Sequence, residues 1–138
     1  MPLRLKSLEL QGYKTFASRT LFEFSGGITA IVGPNGSGKS NIADALRWVL
    51  GEQSYGLLRA KKTEDMIFAG SESRIRAGMA SATVLFDNEA NWLPLDFSEV
   101  AMGRRDPRRH AARRGACMER IYGVSRRPVP DPLRTAEG

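Results

Sequence analysis

Gly33-Pro34-Asn35-Gly36-Ser37-Gly38-Lys39-Ser40 lies between the apolar run Ile28-Thr29-Ala30-Ile31-Val32 and a segment of helical spacing, Asn41 to Leu50. The eight residues meet every fixed position of the phosphate-binding pattern G-x-x-x-x-G-K-[ST]. The order strand, loop, helix is the one the chemistry needs. A glycine-rich turn leaves backbone N–H groups free to point inward, and the start of the following helix adds the positive end of its dipole. Lys39 is then expected to reach the β- and γ-phosphates as a point charge and to be the catalytic cation, with the Ser40 hydroxyl as a ligand of Mg²⁺. Gly33, Pro34, Asn35, Gly36, Ser37, Gly38, Lys39 and Ser40 thus form a predicted site for a nucleoside triphosphate. A chance glycine turn would not also carry a strand before it and a helix after it.

A chain of 138 residues suits one domain or part of a larger one. No run of about 18 apolar residues occurs, so no membrane span is expected. Met1-Pro2-Leu3-Arg4-Leu5 lacks a signal-peptide core, and a cytoplasmic location is expected. Cys117 is the sole cysteine, which excludes an intramolecular disulfide and a cysteine metal cluster, and His110 is the sole histidine, so a histidine-based metal site or triad has no support. The charge is uneven. Residues 1–100 hold 11 Lys+Arg and 11 Asp+Glu, whereas residues 101–138 hold 10 Arg, no Lys and 4 acids. The whole net charge of +6 therefore belongs to the last 38 residues.

Leu3, Leu5, Leu8 and Leu10 predict an opening strand whose alternation slips between Leu5 and Leu8, at a bulge or bend. Gly12 to Phe16 reads as a loop, Thr20 to Phe24 as a second strand, and Ser25-Gly26-Gly27 as a turn into the strand that feeds the phosphate loop. In the helix, Ile42, Ala45, Leu46, Val49 and Leu50 form the core-facing stripe, with Asp44 and Arg47 off it, Trp48 packing beside it and Gly51 past its end. Ser54 to Lys62 is a basic loop, and Glu64 to Gly70 a helical turn with a short buried segment. Ala80 to Phe86 predicts a strand, with Leu93 to Phe97 as its hairpin partner across Asp87 to Asn91. The plan is α/β with a β-rich edge.

Two stretches imitate other ATPase motifs. Thr83-Val84-Leu85-Phe86-Asp87 ends an apolar run in an aspartate, as a Mg²⁺-holding motif would, but Glu89 is not adjacent and the run leads into an Asn-rich turn. The turn reading is preferred. Ser25-Gly26-Gly27 has the composition of a dimer signature, but a signature must open a helix, and this one does not.

Leu8 to Phe16, the loop Gly33 to Ser40 with Asn41-Ile42, Leu46-Arg47-Trp48-Val49-Leu50-Gly51-Glu52-Gln53-Ser54, Leu58-Arg59 and Ile67-Phe68-Ala69-Gly70-Ser71 together resemble the N-terminal ATPase region of SMC (structural maintenance of chromosomes) proteins, the bacterial ones most closely. The resemblance covers about residues 3–100, and the Arg-Trp-Val-Leu-Gly-Glu-Gln and Ile-Phe-Ala-Gly-Ser segments are its specific part. It implies a P-loop NTPase fold, here the N-terminal lobe of an ABC-type head. Such a head is built from the two ends of a long chain, pairs with a second head around two ATPs, and couples hydrolysis to DNA condensation and segregation. By the same resemblance Asn41, Lys14 and Thr15 lie near the nucleotide and Arg59 reaches toward its phosphates. Lys61 and Lys62 fall where the family faces DNA. The implied partners are DNA, the C-terminal half of a head and a second head, with no membrane.

The match stops near Val100 to Arg105, before the glutamine loop and coiled coil that the family would show next. The signature, the aspartate–glutamate motif and the switch histidine belong to the C-terminal half. The chain alone is therefore expected to bind ATP and hardly to hydrolyse it. Arg, Ala, Gly and Pro make up 23 of the last 38 residues but 29 of the first 100. That shift is what a displaced reading frame in a GC-rich gene produces, so two segments are expected: a head lobe over 1–100 and an Arg/Pro-rich tail over 101–138, disordered or out of frame. The competing reading is a small basic nucleic-acid-binding protein that acts through a genuine Arg-rich arm. A third is a compact P-loop enzyme that uses Asp87 for Mg²⁺.

Overall fold

The computed structural model describes residues 4–34, 36, 38–51, 63–107 and 118–126, the last stretch by its backbone. In chain order these hold β1 (Arg4–Gln11), β2 (Thr20–Glu23), α1 (Lys39–Val49), a 3-10 turn (Thr63–Met66), β3 (Met79–Asp87), β4 (Phe97–Pro107) and β5 (Met118–Arg126). The strands make one antiparallel sheet in the order β2-β1-β3-β4-β5.

Alternation decides which face is covered. Leu8 and Leu10 of β1 and Ala80, Ala82, Val84 and Phe86 of β3 are buried, every second residue, while their neighbours are partly exposed. Onto that face α1 lays Ile42, Ala45, Trp48 and Val49, and Tyr13, Met66 and Ile67 complete the cluster. The slip expected in β1 is present: the pairing with β3 shifts between Leu5 and Ser7. Gly12, at φ 66, lets the chain leave β1 beside β3, where a Cβ would stand 2.2 Å from the Met79 carbonyl oxygen.

The helix differs from its expected stripe. Asp44 and Trp48 are buried, whereas Leu50 is 60% exposed. The buried arc is rotated toward Trp48, because Tyr13 packs against that ring. Gly51, at φ 99, follows the helix end as expected, and its N–H donates to the Trp48 carbonyl.

Two further expectations are corrected. Ile28 to Val32 was predicted as a buried strand; it is no strand, and Val32 is 88% exposed. A strand buried on both faces needs a neighbour on each edge, and among the described residues nothing pairs with this segment. The partner of β3 begins at Phe97, not at Leu93. The intervening loop folds around Asn88, whose buried Nδ2 donates to the Leu93 and Phe97 carbonyls (3.0 and 2.9 Å) while its Oδ1 accepts from the Leu93 N–H (2.8 Å). The side chain takes backbone groups that a ladder would otherwise use.

β4 crosses residue 100 without a break, and β5 pairs along it. Residues 101–107 thus complete β4, and the backbone of residues 118–126 forms β5. Backbone pairing asks little of side-chain type, so an arginine-rich composition does not prevent it.

Candidate functional site

Helix α1 begins at Lys39, with Gly38 before it at φ 94 and ψ 1, the left-handed region. Among the described residues no side chain caps this terminus, and no acid lies in the first turn. Both features leave the positive end of the helix open to an anion. Gly36 is also left-handed (φ 83), and nothing lies within 4 Å of where its Cβ would be. The Gly38 carbonyl accepts from Asn41 and Ile42 (3.0 and 3.3 Å), which starts the helical ladder. The Lys39 ammonium folds back to donate to the Gly33 carbonyl oxygen, so the loop is closed by its own lysine. Ser40 is exposed in the first turn.

The loop at Tyr13 to Phe16 comes up against this turn. A Cβ on Gly38 would stand 3.1 Å from Thr15 Oγ1, and Asn41 Nδ2 donates to the same oxygen (3.1 Å). Lys14 holds a positive φ of 45, its N–H donates to the Met66 carbonyl (2.8 Å), and its Nζ donates to Asp44 Oδ2 (2.8 Å). Arg47 approaches the other Asp44 oxygen at 3.8 Å. Phosphate loop, Thr15, Asn41 and Lys14 thus lie together at one end of α1.

Asp44 is the site residue that the helical pattern passed over. It was set off the core stripe, yet it is 2% exposed because its partner comes from the other side, 30 positions back in the chain. Its i, i+3 spacing to Arg47 is the only local sign of a charge role. Arg104 was assigned to the tail; instead it is 9% exposed and donates from Nη1 to the Trp48 carbonyl at the helix end (2.8 Å). Burial pushes the neighbouring Asp106 carboxyl up, and Arg104 pulls the other way.

Asp87 has a turn role. Its Oδ1 accepts from the Glu89 N–H (2.8 Å), and its other oxygen lies 3.9 Å from Arg4. Among the described residues no three of His, Cys, Asp and Glu come together as a metal site, and no helix is long and apolar enough to cross a membrane. Asn35, Ser37, Arg59, Lys61 and Lys62 lie outside the described residues.

On the far side of α1 the apolar surface is uncovered. A cleft of about 770 Å³ runs between Leu5, Phe24, Ile31, Leu46 and Trp92, next to exposed Ile28, Val32 and Leu50.

Comparison with known proteins places this geometry. The family model described as RecF/RecN/SMC N terminal domain matches residues 4–113. The Chromosome partition protein Smc of Bacillus subtilis is 57% identical over 101 residues, which is 73% of this chain and 8% of that protein. Its counterpart in Lactiplantibacillus plantarum is 54% identical over 103 residues, 75% of this chain and 9% of that protein. The chain thus spans less than a tenth of the length of these relatives. Among solved structures, the Smc head domain of Pyrococcus furiosus, with an extended coiled coil and bound to the C-terminal domain of ScpA, matches with a TM-score of 0.81 at 38% identity. It covers 90% of this chain and 30% of that one. A structure from work on ATP-driven dimerization and DNA stimulated activation of SMC ATPases matches with a TM-score of 0.79 at 38% identity, covering 88% of this chain and 71% of that one.

Proposed function

The chain belongs to the RecF/RecN/SMC N-terminal domain family, and from that membership we propose that it is the ATP-binding N-terminal lobe of a chromosome-partition ATPase head. One observation carries the reading: two left-handed glycines open an uncapped helix beside Lys39 and Thr15. Such a turn supports an anion cradle, and a side chain at Gly36 would enter open space beside it. In this reading the backbone from Gly33 to Ser40, including Asn35 and Ser37, wraps the phosphates, and Lys39 leaves the Gly33 carbonyl to meet them. Asn41, Lys14 and Thr15 line the approach, and the family resemblance adds Arg59 as a phosphate-binding cation. Ser40 is the protein's ligand for a Mg²⁺ ion, which would neutralise phosphate charge.

The exposed Ile28, Ile31, Val32 and Leu50 support a missing cover, and we assign it to the C-terminal half of a head. The same reading includes a second head, DNA contacts through Lys61 and Lys62, a ScpA-like partner of the kind bound in the Pyrococcus structure, and a cytoplasmic location on the nucleoid. Hydrolysis by the chain alone should be slight, because the motifs that activate water belong to that other half. A separate nucleic-acid-binding protein acting through its arginines is the weaker reading, since the family match extends to residue 113 and Arg104 packs on Trp48.

Calorimetric titration with ATP tests the proposal. Lys39→Ala should lose most of the affinity with an unchanged circular dichroism spectrum. Equal affinity in the variant would overturn the site. For the weaker reading, DNA affinity that survives replacement of Arg108, Arg109, Arg113, Arg114, Arg126 and Arg127 by Gln and falls in Lys61→Ala/Lys62→Ala favours the head. The reverse pattern favours the arm.

A further inference from the structure

Arg104 stands on β4 opposite Ala82 of β3. Besides its hydrogen bond to the Trp48 carbonyl, its guanidinium lies 5.1 Å from the centroid of the Trp48 ring. That ring lies 5.3 Å from the ring of Tyr13 at an interplanar angle of 31°. The Lys14 ammonium is 5.9 Å from the Tyr13 centroid. The four side chains form an unbroken run, cation, ring, ring, cation, from the sheet to the loop beside Gly38. Trp48 is fully buried, and among the described residues no acceptor meets its Nε1. The cation on one side and Tyr13 on the other therefore orient the indole. At the far end Lys14 keeps a backbone conformation that non-glycine residues hold only when their surroundings enforce it.

We propose that Arg104 is a positioning residue for the nucleotide site, holding α1 by its C-terminal carbonyl and holding Lys14 through the Trp48 and Tyr13 rings. The inference rests on the nucleotide-binding reading above. A guanidinium suits the task for two reasons. Its edge donates to a carbonyl at the negative end of the helix while its face lies on an aromatic ring. An ammonium cannot present a flat face and an edge at once. Because α1 is a single stretch of 11 residues, a grip at Trp48 also fixes the direction in which Lys39 and Ser40 leave the phosphate loop.

A double-mutant cycle on the full chain tests it, with Arg104→Met, Arg104→Lys, Lys14→Met and the pairs. ATP affinity is read by calorimetry. Trp48 emission is read with Trp92→Phe in every variant, since Trp48 and Trp92 are the only tryptophans. Arg104→Met should weaken ATP binding about tenfold and Arg104→Lys about threefold. The part of each effect that runs through the rings should vanish once Lys14 is Met, so that the double variants fall short of the sum of the single ones. Addition of ATP should shift Trp48 emission in the parent and not in Arg104→Met. If the Arg104 and Lys14 effects simply add, or if the emission response survives in Arg104→Met, the positioning role is overturned. Should Arg104→Met fail to fold, the cycle with Arg104→Lys decides by the same criterion. A parent that binds no ATP overturns the proposed function and this inference with it. A parent that binds, with additive variants, overturns this inference alone.

Discussion

The Lys14 ammonium and the Asp44 carboxylate meet at 2.8 Å, and both are largely withdrawn from water, with side-chain exposures of 10% and 2%. The pair ties the loop after β1 to the second turn of α1, next to the phosphate loop. Removing Asp44 takes from the buried Lys14 ammonium the carboxylate it meets at 2.8 Å. Asp44→Ala is expected to destabilise the chain by about 3 kcal/mol, seen as a lower urea midpoint at constant slope. Arg47 is too exposed to compensate. A midpoint unchanged from the parent would mean that Lys14 finds water freely.

Asn88 closes the β3–β4 hairpin with its side chain. Asn88→Ala deletes the bonds to Leu93 and Phe97 and leaves their backbone groups to find water. A loss of about 2 kcal/mol is expected. Amide exchange should quicken first at Leu93, whose N–H loses its acceptor. Uniform acceleration across the sheet would show instead that Asn88 supports the whole domain.

Asp106 sets a pH dependence. Burial raises its carboxyl above the usual carboxylate range, against the pull of Arg104. The folded state therefore holds the proton more tightly than the unfolded state. Stability from this group is highest below the ordinary carboxylate value, falls as pH rises toward the raised value, and stays reduced above it. Asp106→Asn should remove that slope and raise the melting temperature at neutral pH. A variant that melts lower at neutral pH would mean that the Arg104 attraction outweighs burial.

The reading frame toward the end of β4 and beyond it can be checked at the nucleotide level. The run of Arg, Ala, Gly and Pro after Asp106 is expected to overlie, in another frame, a sequence with a glutamine loop and coiled-coil heptads. Translation of the remaining frames decides it. If none carries such a pattern, the arginine-rich stretch is genuine, and its DNA affinity becomes the quantity to measure.

Much of this protein was written locally in its sequence. The helix after the glycine-rich loop, the slip in β1 and the alternation of β3 each depend on neighbours a few residues apart, so spacing and residue type suffice to read them. The tertiary structure decided what lies between distant residues. It turned Asp44 inward because Lys14 arrives from 30 positions away, and it buried Arg104 because Trp48 stands 56 positions earlier. It also left Ile28 to Val32 uncovered, although their composition is that of a core strand. An apolar run states only that burial would be favourable; whether a neighbouring strand exists to supply it depends on which parts of the chain come together.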